Sequence, residues 1–206
     1  MDKKKKPWIG KLLMEFASVV FAVLLALGLN HWREAEAERK VAEKALINVF
    51  LEVHINQKDV ANEITTYSER IEEVRVIKDL FDNREGEDIS YSLGFNLPLL
   101  SNSAWNVANN TGAIKDFELE LLMELSDIYA FQEMYQRNGM DYLQKMNSVE
   151  YKKEANAAAI LDSNYGQLNA YRSWSEQLSD MYLEFLKSYG NKYRDLLPDS
   201  ILTNQQ

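Results

Sequence analysis

From Leu12 to Leu29 the chain is apolar at every position except Glu15 and Ser18. Trp8 and Trp32 bracket this run and lie 24 residues apart. At about 1.5 Å per helical residue the interval is roughly 36 Å, enough to cross a hydrocarbon core about 30 Å thick. Trp8 and Trp32 stand where interfacial aromatic belts belong. Beyond the run, no proline or glycine occurs between Asn30 and Asn83. Apolar residues recur there at Leu46, Val49, Val53, Val60, Tyr67, Ile71, Val74 and Phe81. Spacings of three, four and seven are those of a helix with one buried seam. Asn56 falls on the same stripe. The pattern predicts a transmembrane helix that runs unbroken into a long stalk helix ending near Asp82.

Residues 83–97 interrupt the pattern. Ile89-Ser90-Tyr91-Ser92-Leu93 alternates like a strand, but five isolated residues make a weak signal and the segment reads as loop. Pro98 suits the first turn of a new helix, which holds Ala104, Trp105, Val107 and Ala108 and ends at Gly112. Ser101 or Ser103 could cap it. Asp116 is the expected N-cap of the next helix, with Glu118 and Glu120 in its first turns. Leu121, Leu125, Ile128, Tyr129, Tyr135, Tyr142 and Met146 carry that helix toward Leu161, with a bend at Gly139. A turn over Asp162-Ser163-Asn164-Tyr165-Gly166 then leads to a last helix with its seam at Tyr171, Trp174, Leu178, Met181, Phe185, Tyr189 and Leu196. Pro198 stops it. The fold class expected is all-α: an N-terminal transmembrane helix continuous with a long stalk helix and packed with an antiparallel helical bundle. The divisions are a basic tail over 1–7, the span over 8–32, the bundle over 33–198 and a flexible tail over 199–206.

Composition agrees. Only 8 Gly and 3 Pro among 206 residues disfavour a turn-rich sheet protein, and 46% hydrophobic content can build a core. The chain has no cysteine, which removes disulfides, cysteine metal sites and thiol catalysis. A net charge of −9 argues against nucleic acid as a partner. Lys3, Lys4, Lys5, Lys6 and Lys11 precede or open the span. After it, Arg33, Arg39, Lys40 and Lys44 are diluted by Glu34, Glu36, Glu38 and Glu43. This asymmetry puts the N-terminus in the cytoplasm and residues 33–206 on the exported side, the periplasmic face of a bacterial inner membrane. A cleaved signal peptide fits less well, because the formal A-x-A at Ala35-Glu36-Ala37 lies beyond the apolar run and among charges.

Within the span, Ser18, Ala22 and Ala26 recur every four residues and form a smooth stripe that another helix could approach closely. Glu15 lies on or beside it. A carboxylate at the bilayer centre costs on the order of 2.5–3.5 kcal/mol. Glu15 therefore either pairs with Lys11 one turn earlier near the interface or contacts a second transmembrane helix.

Little else in the chain resembles catalytic equipment. His31 and His54 are 23 residues apart on one predicted helix and cannot share a metal ion within one chain. There is no H-E-x-x-H, G-x-S-x-G, P-loop or dinucleotide fingerprint, and no Glu-x-x-His pair of the di-iron bundles. No cofactor and no enzymatic activity are expected. The 11 tyrosines and 4 tryptophans are read as bundle packing, with Trp105, Tyr129, Tyr171 and Trp174 as residues that could instead line an aromatic groove for a ligand or peptide.

Two segments resemble a family of uncharacterised bacterial single-pass membrane proteins, a domain of unknown function. One is the Glu-started apolar helix from Glu15 to Leu27, followed by Asn30-His31-Trp32 and Arg33-Glu34. The other is Ser103-Ala104-Trp105-Asn106-Val107-Ala108 with Thr111-Gly112-Ala113, followed by a helix that reaches Tyr129. They cover roughly residues 10–130 as an order of motifs. Many members have a second polar residue near the helix exit where this chain has Gly28-Leu29. The resemblance implies an anchor followed by helices, and no known activity or catalytic residues. The expected function is a non-catalytic accessory or scaffold subunit that contacts the bilayer and another membrane protein or its own copies. The alternative is a ligand-sensing helical bundle that signals through a partner, since about eight residues before the span leave no room for an output domain.

Overall fold

The computed structural model of the chain describes residues 7–83, 93–149, 151 and 157–202. The alternating stretch at 89–92, most of the basic tail and residues 203–206 lie outside them. Helix α1 is Pro7–Asn83, 77 residues without a break. At about 1.5 Å per residue that is a rod of roughly 115 Å. Helix α2 is Ser103–Asn110, a 3-10 turn covers Ala113–Asp116, α3 is Leu119–Met146, α4 is Ala157–Gly190 and α5 is Asp199–Leu202. The fold is all-α, with no strand among the described residues.

The side-chain contacts fix the topology. Going up α1 from Phe50 through Gln57 and Tyr67 to Lys78, the partners on α4 go down from Phe185 through Ser179 and Tyr171 to Asp162. Those two helices are therefore antiparallel. Glu52, Asn56 and Tyr67 meet Tyr129, Gln132 and Tyr135 in the same order, so α3 runs parallel to α1. Parallel neighbours need a long return connection, and among the described residues 93–118 run back down α1, with Asn96 at Tyr67, Ser101 at Asn56, Ala104 at Glu52 and Lys115 at Glu38. The seam read from α1 is the core of the molecule: Val49, Phe50, Val53, Val60 and Tyr67 are all fully buried, against Leu168, Tyr171, Leu178, Tyr182 and Phe185 of α4.

Several boundaries differ from those expected. Pro98 opens no helix; residues 93–102 form an extended strap and α2 begins at Ser103. The strap is held by side chains rather than by a ladder. Asp116 caps nothing; it closes the 3-10 turn, and the chain enters α3 through Glu118, an extended residue with no side-chain cap. The helix expected to reach Leu161 stops at Met146. Residues 162–166, expected as a turn, lie inside α4, where Ile160, Leu161, Asn164 and Leu168 begin its buried seam. A turn-like composition misled there: a continuous spacing of three and four outweighs local preference once a face can be buried. Pro198 does not end the last helix, since α4 stops at Gly190 and a series of turns intervenes. The tail is not wholly loose either, because Asp199–Leu202 is helical and Ile201 is fully buried.

Two glycines are explained by geometry. Gly112 has φ +72° and follows Thr111, the C-cap of α2, as expected, a left-handed position that glycine occupies without strain. Gly139 sits inside unbroken α3, where a Cβ would lie 2.4 Å from Leu97 Cδ1. Its role is to let the strap lie against the helix.

Candidate functional site

The first candidate region is the lower part of α1. Every described residue from Lys11 to Ala35 is exposed, although mean apolarity is highest there. Among the described residues this is the one helix long and apolar enough to cross a membrane. Trp8 and Trp32 are 67% and 65% exposed at its two ends. Ser18 donates its hydroxyl to the Met14 carbonyl at 2.8 Å, so its polarity is absorbed within its own helix. Ala22, Ala26 and Glu15 face outward with no bundle residue over them. Asn30 donates to Glu34 at 2.7 Å one turn above.

The second region is a polar core that sequence reading overlooked. Glu52 is 93% buried by difference from its 7% exposure, and its two oxygens take four hydrogen bonds. Ser101 Oγ donates to Oε2 at 2.6 Å and the Ala104 amide at 2.8 Å. Tyr129 Oη donates to Oε1 at 2.7 Å and the Trp105 amide at 3.3 Å. The first turn of α2 leaves its amides without intrahelical partners. Here a carboxylate from α1 serves as the cap, which explains why neither Ser101 nor Ser103 fills that role alone. Burial pushes the Tyr129 hydroxyl well above its ordinary range, with the Glu52 carboxylate adding to the effect, so the phenol stays a donor.

The network continues along the strap. Asn56 Nδ2 donates to the Ser101 carbonyl at 2.7 Å and Asn56 Oδ1 accepts the Ser101 amide at 2.9 Å. Gln132 Nε2 reaches the same carbonyl at 3.0 Å, and Gln132 Oε1 accepts Tyr182 Oη at 2.6 Å. Gln136 holds the Pro98 carbonyl, and Tyr67 Oη donates to the Asn96 carbonyl at 2.5 Å. Tyr67, Tyr135 and Ser175 then form a hydroxyl chain with steps of 3.2 and 3.0 Å. A strap without secondary structure must satisfy its backbone groups elsewhere, and these side chains do so. Asn56, Tyr67, Gln132 and Gln136 bond the strap directly, while Tyr135, Ser175 and Tyr182 extend the network behind them.

The four aromatic candidates fall into two separate places. Trp105 stacks on Tyr129, centroids 5.2 Å apart and planes 3° apart, beside Glu52. Tyr171 and Trp174 meet at 5.1 Å higher in the bundle, with Tyr171 packed also on Phe95 and Tyr135. Tyr129 and Tyr171 are buried with their hydroxyls bonded internally, so the four do not form one aromatic groove. The groove beside Glu52 lies instead between α1 and α2. It encloses about 410 Å³ and is walled by Ala45, Leu51, Ile55, Ala104 and Val107, with Asn48 on its α1 side. Among the described residues no three histidine, aspartate or glutamate side chains converge as metal ligands.

His54 is buried on α1. Burial, and then Lys58, lowers its pKa below the ordinary 6.5. The unfolded chain therefore takes up this proton first, and stability from this group, present above about pH 6.5, is lost as pH falls. Urea unfolding of the detergent-solubilised chain is expected to show lower stability at pH 5.5 than at pH 7.5. His54→Gln should reduce that difference, and an unchanged difference would assign the acid sensitivity to other groups.

No family model, no curated protein and no solved structure matches this chain.

Proposed function

We propose that the chain is a non-catalytic, membrane-anchored accessory or scaffold subunit that assembles through its first helix and its helical bundle. The observation that carries this reading is α1: about 25 residues of outward-facing apolar surface continue, without a break in the helix, into the core element of a packed bundle. A bare helix of that kind is covered by lipid or by other helices. The lysines before the span favour a cytoplasmic N-terminus and a periplasmic bundle in a bacterial inner membrane. Ser18, Ala22 and Ala26 offer close approach, and Glu15 offers a polar group that a neighbouring helix can satisfy. The main buried polar groups beside Glu52 hold the strap, which agrees with a structural part and not with a reaction centre.

The test is mass spectrometry of the complex released gently from its native membrane with this chain as bait. A stoichiometric second membrane protein is expected. Glu15→Ala should lower its recovery several-fold, since interhelical hydrogen bonds in membranes contribute about 0.6–2 kcal/mol. Recovery of the chain alone as a monomer, with a small metabolite shifting its melting temperature, would support a sensor instead.

A further inference from the structure

Above the span, the outward face of α1 beside α2 carries exposed apolar residues and two lysines. Lys44, Leu51 and Lys58 are spaced by seven residues and share one side of the helix, with Asn48 and Ile55 beside them. Val41 and Ile55 are 50% and 55% exposed there, and Val107 of α2 is 58% exposed on the other wall of the groove. Lys44 and Lys58 are exposed, and neither forms an ion pair among the described residues. The nearby basic residues Arg39 and Lys40 are, by contrast, paired with Glu36 and Glu43. Asp59, next to Lys58, is exposed as well. The largely apolar trough thus has an exposed lysine near each end, Lys44 beside Glu43 and Lys58 beside Asp59, neither lysine in an ion pair among the described residues.

The helix phase ties this trough to the membrane. Ala26 and Lys44 are 18 residues apart, and Glu15 and Leu51 are 36 apart, which are five and ten turns at about 3.6 residues per turn. Because α1 is uninterrupted, the small-residue stripe and the trough lie on one side of one rod. A helix that pairs with the span and continues out of the bilayer meets the trough without changing sides.

We propose that the groove between α1 and α2 receives the membrane-proximal helix of a different protein, one whose apolar stripe is flanked by acidic side chains placed to meet Lys44 and Lys58. The two lysines are 14 residues apart, about 21 Å along the helix axis, so the acids sit about four turns apart on the partner. Charge selects against a second copy of this chain: two copies paired in register would bring Lys44 against Lys44 and Lys58 against Lys58. This inference rests on the accessory-subunit reading and adds the location and chemistry of the contact.

The test uses the full chain in its native membrane with a photo-crosslinking benzoylphenylalanine at Ile55 or Val107, and at exposed Met140 of α3 as control. The expected product is a crosslink from Ile55 and Val107, but not from Met140, to a peptide with acidic residues flanking an apolar stripe. Lys44→Glu with Lys58→Glu should lower its yield about tenfold or more by like-charge repulsion, and Lys44→Arg with Lys58→Arg should preserve it. Circular dichroism of each variant shows that the bundle is folded. A crosslink to a second copy of this chain, no crosslink, or a yield indifferent to charge reversal would overturn the inference. If the complex is still recovered while the groove gives no crosslink, the groove fails and the accessory role stands. If no partner is recovered, the accessory role itself fails.

Discussion

Glu52→Ala is expected to lower the stability of the bundle by about 3 kcal/mol or more, the range found when one member of a buried polar cluster is removed and its partners are left behind. Four donors lose their acceptor: the Ser101 and Tyr129 hydroxyls and the Ala104 and Trp105 amides. The amides matter most, since they form the first turn of an eight-residue helix too short to persist alone. Loss of the cap should loosen α2 and the strap before the rest of the bundle. Two readouts separate the local event from the global one. Urea unfolding by circular dichroism reports α1, α3 and α4, while tryptophan emission reports the Trp105 stack on Tyr129 together with Trp8, Trp32 and Trp174. A Trp105→Phe control isolates the Trp105 contribution. Glu52→Gln keeps one acceptor and turns an amide NH2 toward donors, so its cost should be close to that of alanine. A loss below about 1 kcal/mol for both variants would mean that water replaces the carboxylate and that α2 is not anchored by it.

Phe50→Ala should be of similar size, about 3–5 kcal/mol, through a different mechanism. Phe50 is fully buried where α1 meets the end of α4, 4.9 Å from the Phe185 ring and 6.0 Å from Tyr193. Truncation removes a ring packed between α1, α4 and the turns that follow α4, and leaves a cavity that α1 cannot close, because the rod is held above and below by Val49, Val53 and Val60. Val41→Ala, nine residues earlier on the outer face, removes atoms already half exposed and should cost under about 0.5 kcal/mol. The pair of midpoints in urea checks both statements. Equal losses would mean that the outer face of α1 is covered in the isolated protein.

The sequence was legible where one signal dominated. Unbroken helical spacing from Leu46 to Phe81, with no glycine or proline, described α1 to within a residue of its end. Gly112 was legible because a left-handed residue after a short helix has few alternatives. The strap and the Glu52 cluster were not legible, because their order comes from partners 29 to 77 residues away in sequence. A carboxylate in the run Ile47-Asn48-Val49-Phe50-Leu51-Glu52-Val53 was the available clue: an acid between buried positions must either reach solvent or find donors. Periodicity also failed at Asn164, where a polar residue occupies a seam position and bonds Tyr142 Oη at 2.7 Å. Hydrophobic spacing cannot register a seam position filled by an amide. Of the candidate site residues, the span set follows from one helix and kept its common side, while the aromatic set depended on tertiary packing and divided into two clusters.

The unbroken α1 also serves as a ruler. On the proposed anchoring, which puts Trp32 at the bilayer surface, the first buried described residue of α1, Ala42, is ten residues on, about 15 Å from the interface. Asn48 to Ile55 then spans heights of about 24–35 Å. No hinge glycine or proline lies between to shorten that reach. A body that stays within the headgroup layer cannot touch the trough, and one that floats free in the compartment has no reason to arrive at that height in a fixed rotation. On the proposed anchoring, an occupant of the trough would have to be tethered too, with a rigid extension of matching length.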